Sequence, residues 1–130
     1  MQMTVQTPTA NGLEPVVMAL ASWQRDGLPV QLHPGDLGWQ WRFGADALAD
    51  SLRVWSRDEE IVAIGLVDHG VIRMALAPSV NEDEDVARVL VRDLEDSSTG
   101  VLPAGSAVEA RFGQALRSLL DAHGWLPDGP

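Results

Sequence analysis

Three aromatic side chains, Trp39, Trp41 and Phe43, are the residues of this sequence with the clearest potential for binding chemistry. They alternate along the chain, and in an extended segment alternate residues point to the same side. The spacing therefore predicts an aromatic stripe on one side of an extended segment. Two interpretations stay open: the stripe packs in the core or an interface, or it is a platform for a ligand such as an amine, bound by cation–π contact.

The other reactive side chains do not form a recognisable catalytic set. His33 and His69 lie in loop or turn sequences, and neither has a carboxylate or second His at metal-ligand spacing. His123 precedes Gly124 at the end of a predicted helix, where a capping or core role is expected. The chain has no Cys, Lys or Tyr, which excludes thiol nucleophiles, Schiff-base lysines and tyrosine acids. We therefore predict no catalytic, cofactor-binding or metal-binding residue.

The charge balance constrains the partners. Nine Arg stand against 19 Asp and Glu, a formal net charge of −10. The Arg residues are scattered singly, whereas nucleic-acid backbones need clustered cations, so nucleic acid is not an expected partner. An acidic field favours cationic ligands or a basic protein surface, and it also keeps a protein soluble.

Targeting signals are absent from the pattern. No apolar run approaches the ~20 residues of a membrane helix, and the first residues lack the basic start and apolar stretch of a secretion signal. The expectation is a cytoplasmic protein without membrane contact. Abundant Ala, Val, Gly and Asp without Lys is typical of GC-rich bacterial genomes.

A length of 130 residues suits one domain. We expect a flexible leader over residues 1–11 and a single domain over 12–130. Apolar residues at helical spacing predict helices over about 13–26, a short stretch from Ala45 to Leu52, about 83–95, and a last helix that Gly124 ends. The acidic run from Glu82 to Asp85 suits the positive end of the third helix.

Between these helices the pattern changes to strands. "LRVWS", "IVAIGLV" and "VIRMALA" are separated by short polar turns and predict an antiparallel meander. Two of the strands are apolar on both faces, so helices should cover both sides of the sheet. "SAVEARF", residues 106–112, predicts a further strand, and Trp125 starts a possible last one. The predicted core comprises Val62, Ile64, Leu66, Ile72, Met74 and Leu76.

This order of elements resembles the GNAT superfamily of acetyl-CoA-dependent N-acetyltransferases. "LRVWSRDEEIVAIGLVDHGVIRMALAP" is similar to the central sheet of the family, and "ALRSLLDAHGW" to its last helix. The resemblance covers about residues 13–125. It implies an α/β (α+β) fold with a mixed, mostly antiparallel sheet, acetyl-CoA as the family's cofactor, and acetyl transfer to an amine.

Two departures from the family pattern bear on function. In working GNAT domains the third strand leads into a turn, Arg/Gln-x-x-Gly-x-Gly/Ala, whose backbone N–H groups bind the coenzyme pyrophosphate. Here the matching stretch, "PSVNEDEDVARVL", lacks Gly and carries four consecutive acids, Glu82 to Asp85. Many members also use a Tyr on the last helix to protonate the leaving thiolate, and Leu120 stands at that place. We therefore expect that this chain does not bind acetyl-CoA.

The chain also ends before the final strand pair of a complete GNAT fold, so it most resembles the degenerate N-terminal half of a tandem, two-domain GNAT protein. Three hypotheses follow. The chain is a non-catalytic GNAT-like domain that contributes structure or substrate contacts, a non-enzymatic binding or dimerisation module, or a complete acetyltransferase with an unusual coenzyme site. An unpaired strand at 106–112 would favour a homodimer or docking onto a second GNAT domain.

Overall fold

A computed structural model describes residues 2–103 and 105–126 of the chain. Its centre is a five-stranded sheet in the order β1-β2-β3-β4-β5. The strands are β1 Met3–Gln6, β2 Leu52–Arg57, β3 Glu60–Asp68, β4 Val71–Leu76 and β5 Ala107–Glu109. The helices are α1 Leu13–Ser22, α2 Pro34–Gln40, α3 Ala45–Ser51, α4 Glu84–Glu95 and α5 Gln114–Ala122.

The antiparallel meander of β2, β3 and β4 confirms the predicted one. Asp58 and Glu59 both have positive φ, 50° and 72°, in the turn between β2 and β3. His69 and Gly70 make the next turn, with φ of 49° and 80°. Two central residues with positive φ match the right-handed twist of neighbouring strands, so both turns suit tight hairpins. His69 therefore has a turn position rather than a place in a site.

The sheet is covered on both faces. Successive residues of a strand point to opposite sides, yet every residue from 62 to 66 in β3 is buried. The six predicted core residues are confirmed, since each is at most 2% exposed. On one face α4 packs over β2, and the indole of Trp55 in β2 donates a hydrogen bond to Asp93 of α4. The observed sheet and helices confirm the α+β class.

The flexible leader predicted over residues 1–11 differs from the structure. Residues 3–6 form β1, which pairs antiparallel with β2 and places Val5 opposite Trp55. Met3 and Val5 pack against the core, while Thr4 and Gln6 are exposed. Two apolar residues are too weak a local signal for a strand, and the open edge of β2 supplies the missing partner.

The predicted strand at 106–112 is shorter in the structure and is not unpaired. Residues 107–109 form β5 and pair in parallel with Val71–Arg73 of β4, which makes the sheet mixed. The chain then turns inward, burying Phe112. Gly113 has a φ of 104°, and a Cβ there would lie 2.8 Å from Leu76 Cδ2, so a residue without a side chain is needed.

Helix boundaries follow the predictions with one marked exception. The helix predicted over 83–95 is α4, and α1 ends at Ser22, before the predicted residue 26. The exception is the segment around the aromatic residues, which is helical rather than extended. In the described part of the chain, no helix has both the length and the apolar character needed to cross a membrane.

Candidate functional site

The segment before the aromatic residues begins a helix, where the sequence predicts a turn. His33 is the N-cap of α2: its Nδ1 accepts a hydrogen bond from Gly35 N–H at 2.9 Å. The Asp36 carboxylate in turn accepts one from His33 N–H at 2.9 Å. Pro34 occupies the first helical position, where a missing N–H costs nothing. His33 and Asp36 have the spacing of a reciprocal helix cap, but His stands where Ser or Thr is usual, so the sequence pattern was not recognised.

This helical start overturns the extended stripe. Trp39 lies in α2, and Trp41 and Phe43 lie in a 3-10 helix, Trp41–Phe43, that continues it. The guanidinium of Arg42 lies 3.7 Å from the ring centre of Trp39 and 4.5 Å from that of Phe43. We call Trp39, Trp41, Arg42 and Phe43 the aromatic patch.

The aromatic patch is exposed rather than packed in the core. The exposed fractions of Trp39, Trp41 and Phe43 are 62%, 48% and 61%. These side chains therefore do not pack in the core of the chain. An interface with another molecule and a ligand platform both stay open. The cation of Arg42 already lies over two of the rings, so a ligand amine would have to compete with it.

The N-terminus of α4 lies in the stretch that the GNAT resemblance would match to a pyrophosphate-binding turn. Here Asp83 caps the helix by accepting a hydrogen bond from Val86 N–H at 3.1 Å. That bond, together with the Arg57 guanidinium 2.6 Å away, holds the pKa of the Asp83 carboxyl below its ordinary value. Asp83 is thus ionised at neutral pH, and the positive end of the helix is already neutralised.

The neighbouring acids are also engaged. Arg88, one turn along α4, lies 2.9 Å from Asp85 and 3.5 Å from Glu84. Both are exposed helix pairs, each worth only a few tenths of a kcal/mol. The predicted role of the acidic run as a helix start is confirmed, because Asp83 is the N-cap and Glu84 and Asp85 form the first turn.

The start of α5 is closed in a similar way. Asn81 accepts hydrogen bonds from Gln114 N–H through its side chain, at 2.9 Å, and from Ala115 N–H through its backbone oxygen, at 3.0 Å. A groove of about 510 Å³ runs between α4 and α5. Glu82, Glu84 and Arg88 are the charged residues of its lining, which leaves the lining with a net negative charge.

β5 pairs only with residues 71–73 of β4, and at Leu76, the last residue of β4, a side chain takes the place of a neighbouring strand. The buried amide of Gln31 donates to the backbone oxygen of Leu76 and accepts from its N–H, both at 3.0 Å. The amide thereby replaces a neighbouring strand for this residue. Sequence reasoning missed Gln31, because the two residues are 45 positions apart and nothing local marks the pair.

A second groove, of about 1090 Å³, lies beside β5 and α5. Val108, Phe112 and Leu120 contribute to its lining, together with Trp125 and Leu126. Leu126 is 89% exposed. We call this the β5 groove. Leu120, at the place of the family's Tyr, supplies only an apolar wall.

His123 and Trp125 fix the chain after α5. Glu95 of α4 accepts hydrogen bonds from both: its Oε1 lies 2.9 Å from His123 Nδ1, and its Oε2 lies 3.1 Å from Trp125 Nε1. His123 thus links two helix ends. Trp125 does not begin a strand. The rest of the possible last strand would fall on residues 127–130, which lie outside the described residues.

The three His side chains belong to three different places in the fold: the cap of α2, the turn between β3 and β4, and the end of α5. Across residues 2–103 and 105–126, no three His, Asp or Glu side chains are gathered as a metal site would need. Comparison with protein-family models and with curated proteins gives no match to this chain. Among its described residues the chain offers instead an exposed aromatic patch, two grooves and a helix start filled by the chain's own carboxylates.

Proposed function

We propose that this chain is a GNAT-like domain that does not bind acetyl-CoA and contributes structure or substrate contacts to acetyl transfer. The arrangement that supports the resemblance is the mixed sheet, with a three-strand meander followed by α4, β5 and α5. A cytoplasmic, bacterial setting is part of the proposal, supported by the composition and by the lack of a secretion-signal pattern. In this proposal another domain carries out acetyl transfer, and this chain supports that domain or contacts its substrate.

The observation that carries the non-catalytic assignment is the occupied N-terminus of α4. A pyrophosphate there would meet the ionised Asp83 and its acidic neighbours in place of free N–H groups. Two unit charges of like sign at 4 Å repel by about 1 kcal/mol in water and about 4 kcal/mol at an effective dielectric of 20. Arg57 and Arg88 offset two of the four acidic charges there, and the repulsion from the other two still exceeds the few tenths to 1 kcal/mol that a helix dipole returns.

Calorimetric titration with acetyl-CoA tests the proposal. We expect no heat of binding and no rise in melting temperature for the natural sequence. The triple variant E82Q/E84Q/D85N keeps the Asp83 cap and removes three charges, so any residual affinity for the coenzyme should rise. A dissociation constant in the low micromolar range for the natural sequence would contradict the proposal and favour a complete acetyltransferase with an unusual coenzyme site.

A second candidate function, a binding or dimerisation module, is favoured by the open edge of β5. In the described part of the chain β5 pairs on its β4 side only, and the β5 groove with exposed Leu126 lies beside it. Soluble proteins usually cover such an edge. We propose that a second copy of the chain, or a second GNAT domain, docks there.

Sedimentation velocity over a wide concentration range tests the second candidate. We expect reversible dimers that Leu126→Asp weakens, because it introduces a charge beside the groove. Val30→Asp is the matched control, since Val30 is also exposed but does not line the groove. A protein that remains monomeric at every concentration would rule out self-association through this edge.

A further inference from the structure

We propose that the aromatic patch docks a segment of a partner protein that carries a carboxylate beside apolar or aromatic side chains, and that Arg42 anchors that carboxylate. This inference is independent of acetyl-CoA binding and of the β5 groove. It rests on the state of Arg42, on the exposure of its aromatic neighbours, and on the shape of the surface they form.

Arg42 is a charged group held in place without a counter-ion. Arg42 has no carboxylate partner among residues 2–103 and 105–126, a property it shares there with Arg25, Arg53 and Arg117, whereas the other five arginines form ion pairs. Arg42 differs from those three in being stacked on two aromatic rings. Even Asp46, four positions along and exposed, does not pair with it, because Gly44 breaks the helix between them with a φ of 101°. The five paired arginines are Arg57, Arg73, Arg88, Arg92 and Arg111.

Stacking prepares Arg42 for an external carboxylate. A guanidinium that lies over aromatic rings uses its flat face, and its N–H edge stays available for a two-point hydrogen bond. The contacts with Trp39 and Phe43 also restrict the side chain before binding. Less conformational entropy is then lost when the partner arrives.

The exposed rings supply the apolar part of the contact. Because about half or more of each ring remains exposed, covering the rings with a partner would gain free energy from the burial of their apolar surface. Two Trp, one Phe and one Arg within five residues are the side-chain types that dominate binding energy at protein interfaces. A group of exposed apolar residues of this kind marks an interaction surface rather than ordinary scatter.

The position of the aromatic patch outside both grooves favours a protein segment over a small molecule. Small-molecule sites are concave and enclose most of their ligand. The aromatic patch lies at the end of a helix and lines neither the groove between α4 and α5 nor the β5 groove. The net charge of −10 repels acids at long range, so the contact depends on the close pairing with Arg42.

Peptide titration by nuclear magnetic resonance tests this proposal. The probe is acetyl-Gly-Phe-Glu-Phe-Gly-amide, and its control has Gln in place of Glu. We expect the Glu peptide to shift the Trp39 and Trp41 indole and Arg42 side-chain N–H signals and to bind about tenfold more tightly than the Gln peptide, since a charge-assisted pair exceeds a neutral one by about 1.4 kcal/mol.

Matched variants assign the effect to Arg42. Arg42→Gln should lower the affinity for the Glu peptide to that of the Gln peptide, whereas Arg25→Gln, an equal loss of charge at another exposed position, should leave it unchanged. Equal affinity for the two peptides, or no binding of either, would overturn the proposal. So would free phenylacetate binding as tightly as the Glu peptide, because the site would then serve a small carboxylate.

Discussion

Replacing Ile64 with Asp is expected to abolish cooperative folding of this domain. Ile64 is fully buried in β3, where it lies opposite Val54 of β2 and Ala75 of β4. The change removes about 1.5–3 kcal/mol of apolar burial and places a carboxyl group in a site without polar partners. Together these costs approach the 5–15 kcal/mol of total stability typical of a domain.

Thermal unfolding followed by circular dichroism measures this effect. Ile64→Val is the matched control, and it should cost only about 0.5–1.5 kcal/mol because it removes one methylene without adding charge. A cooperative Ile64→Asp variant with the melting temperature of the natural sequence would show that β3 is not at the centre of the core.

Removing either partner of the buried Trp55–Asp93 pair should give the next largest loss of stability. Both side chains are buried, and Trp55 Nε1 donates to Asp93 Oδ2 at 3.0 Å. The other carboxylate oxygen, Asp93 Oδ1, lies 3.2 Å from Nη2 of Arg92. Asp93→Ala leaves the indole N–H without a partner, which costs about 1–3 kcal/mol before any cavity is counted.

Trp55→Phe has the opposite defect, because it leaves a buried carboxylate oxygen without its donor, at about 1.5–3 kcal/mol. The double variant W55F/D93L removes both polar groups, so it should lose less stability than the sum of Trp55→Phe and Asp93→Leu. Urea unfolding of the single and double variants measures this coupling, for which about 0.5–3 kcal/mol is expected. Strict additivity would mean that the hydrogen bond contributes nothing to stability.

The pair matters for the architecture as well as for stability. It joins β2 to α4, and α4 carries both the Asp83 cap and Glu95, which fixes His123 and Trp125. Loss of the pair would therefore loosen the helix that carries the Asp83 cap and one wall of the groove between α4 and α5. The same variants therefore test whether the Trp55–Asp93 pair holds the Asp83 cap and Glu95 in place.

The meander and α4 were predictable because their signals are local. Apolar runs of strand length bounded by turn residues define β2, β3 and β4, and a helix-spaced apolar face after four acids defines α4. The same local reading singled out Trp39, Trp41 and Phe43 and missed Arg42. It gave them the wrong geometry, because alternation over five residues fits a strand and also fits an i, i+4 pair in a helix.

What the sequence by itself determined is therefore the centre of the sheet, the charge of the acidic helix start, and the absence of thiol, lysine and tyrosine chemistry. Only the tertiary structure decided the rest. Residues 3–6 become a strand because β2 offers an open edge, and Gln31 meets Leu76 from 45 positions away. Each of these contacts depends on a partner that is brought near by folding, and local propensity carries no information about such a partner.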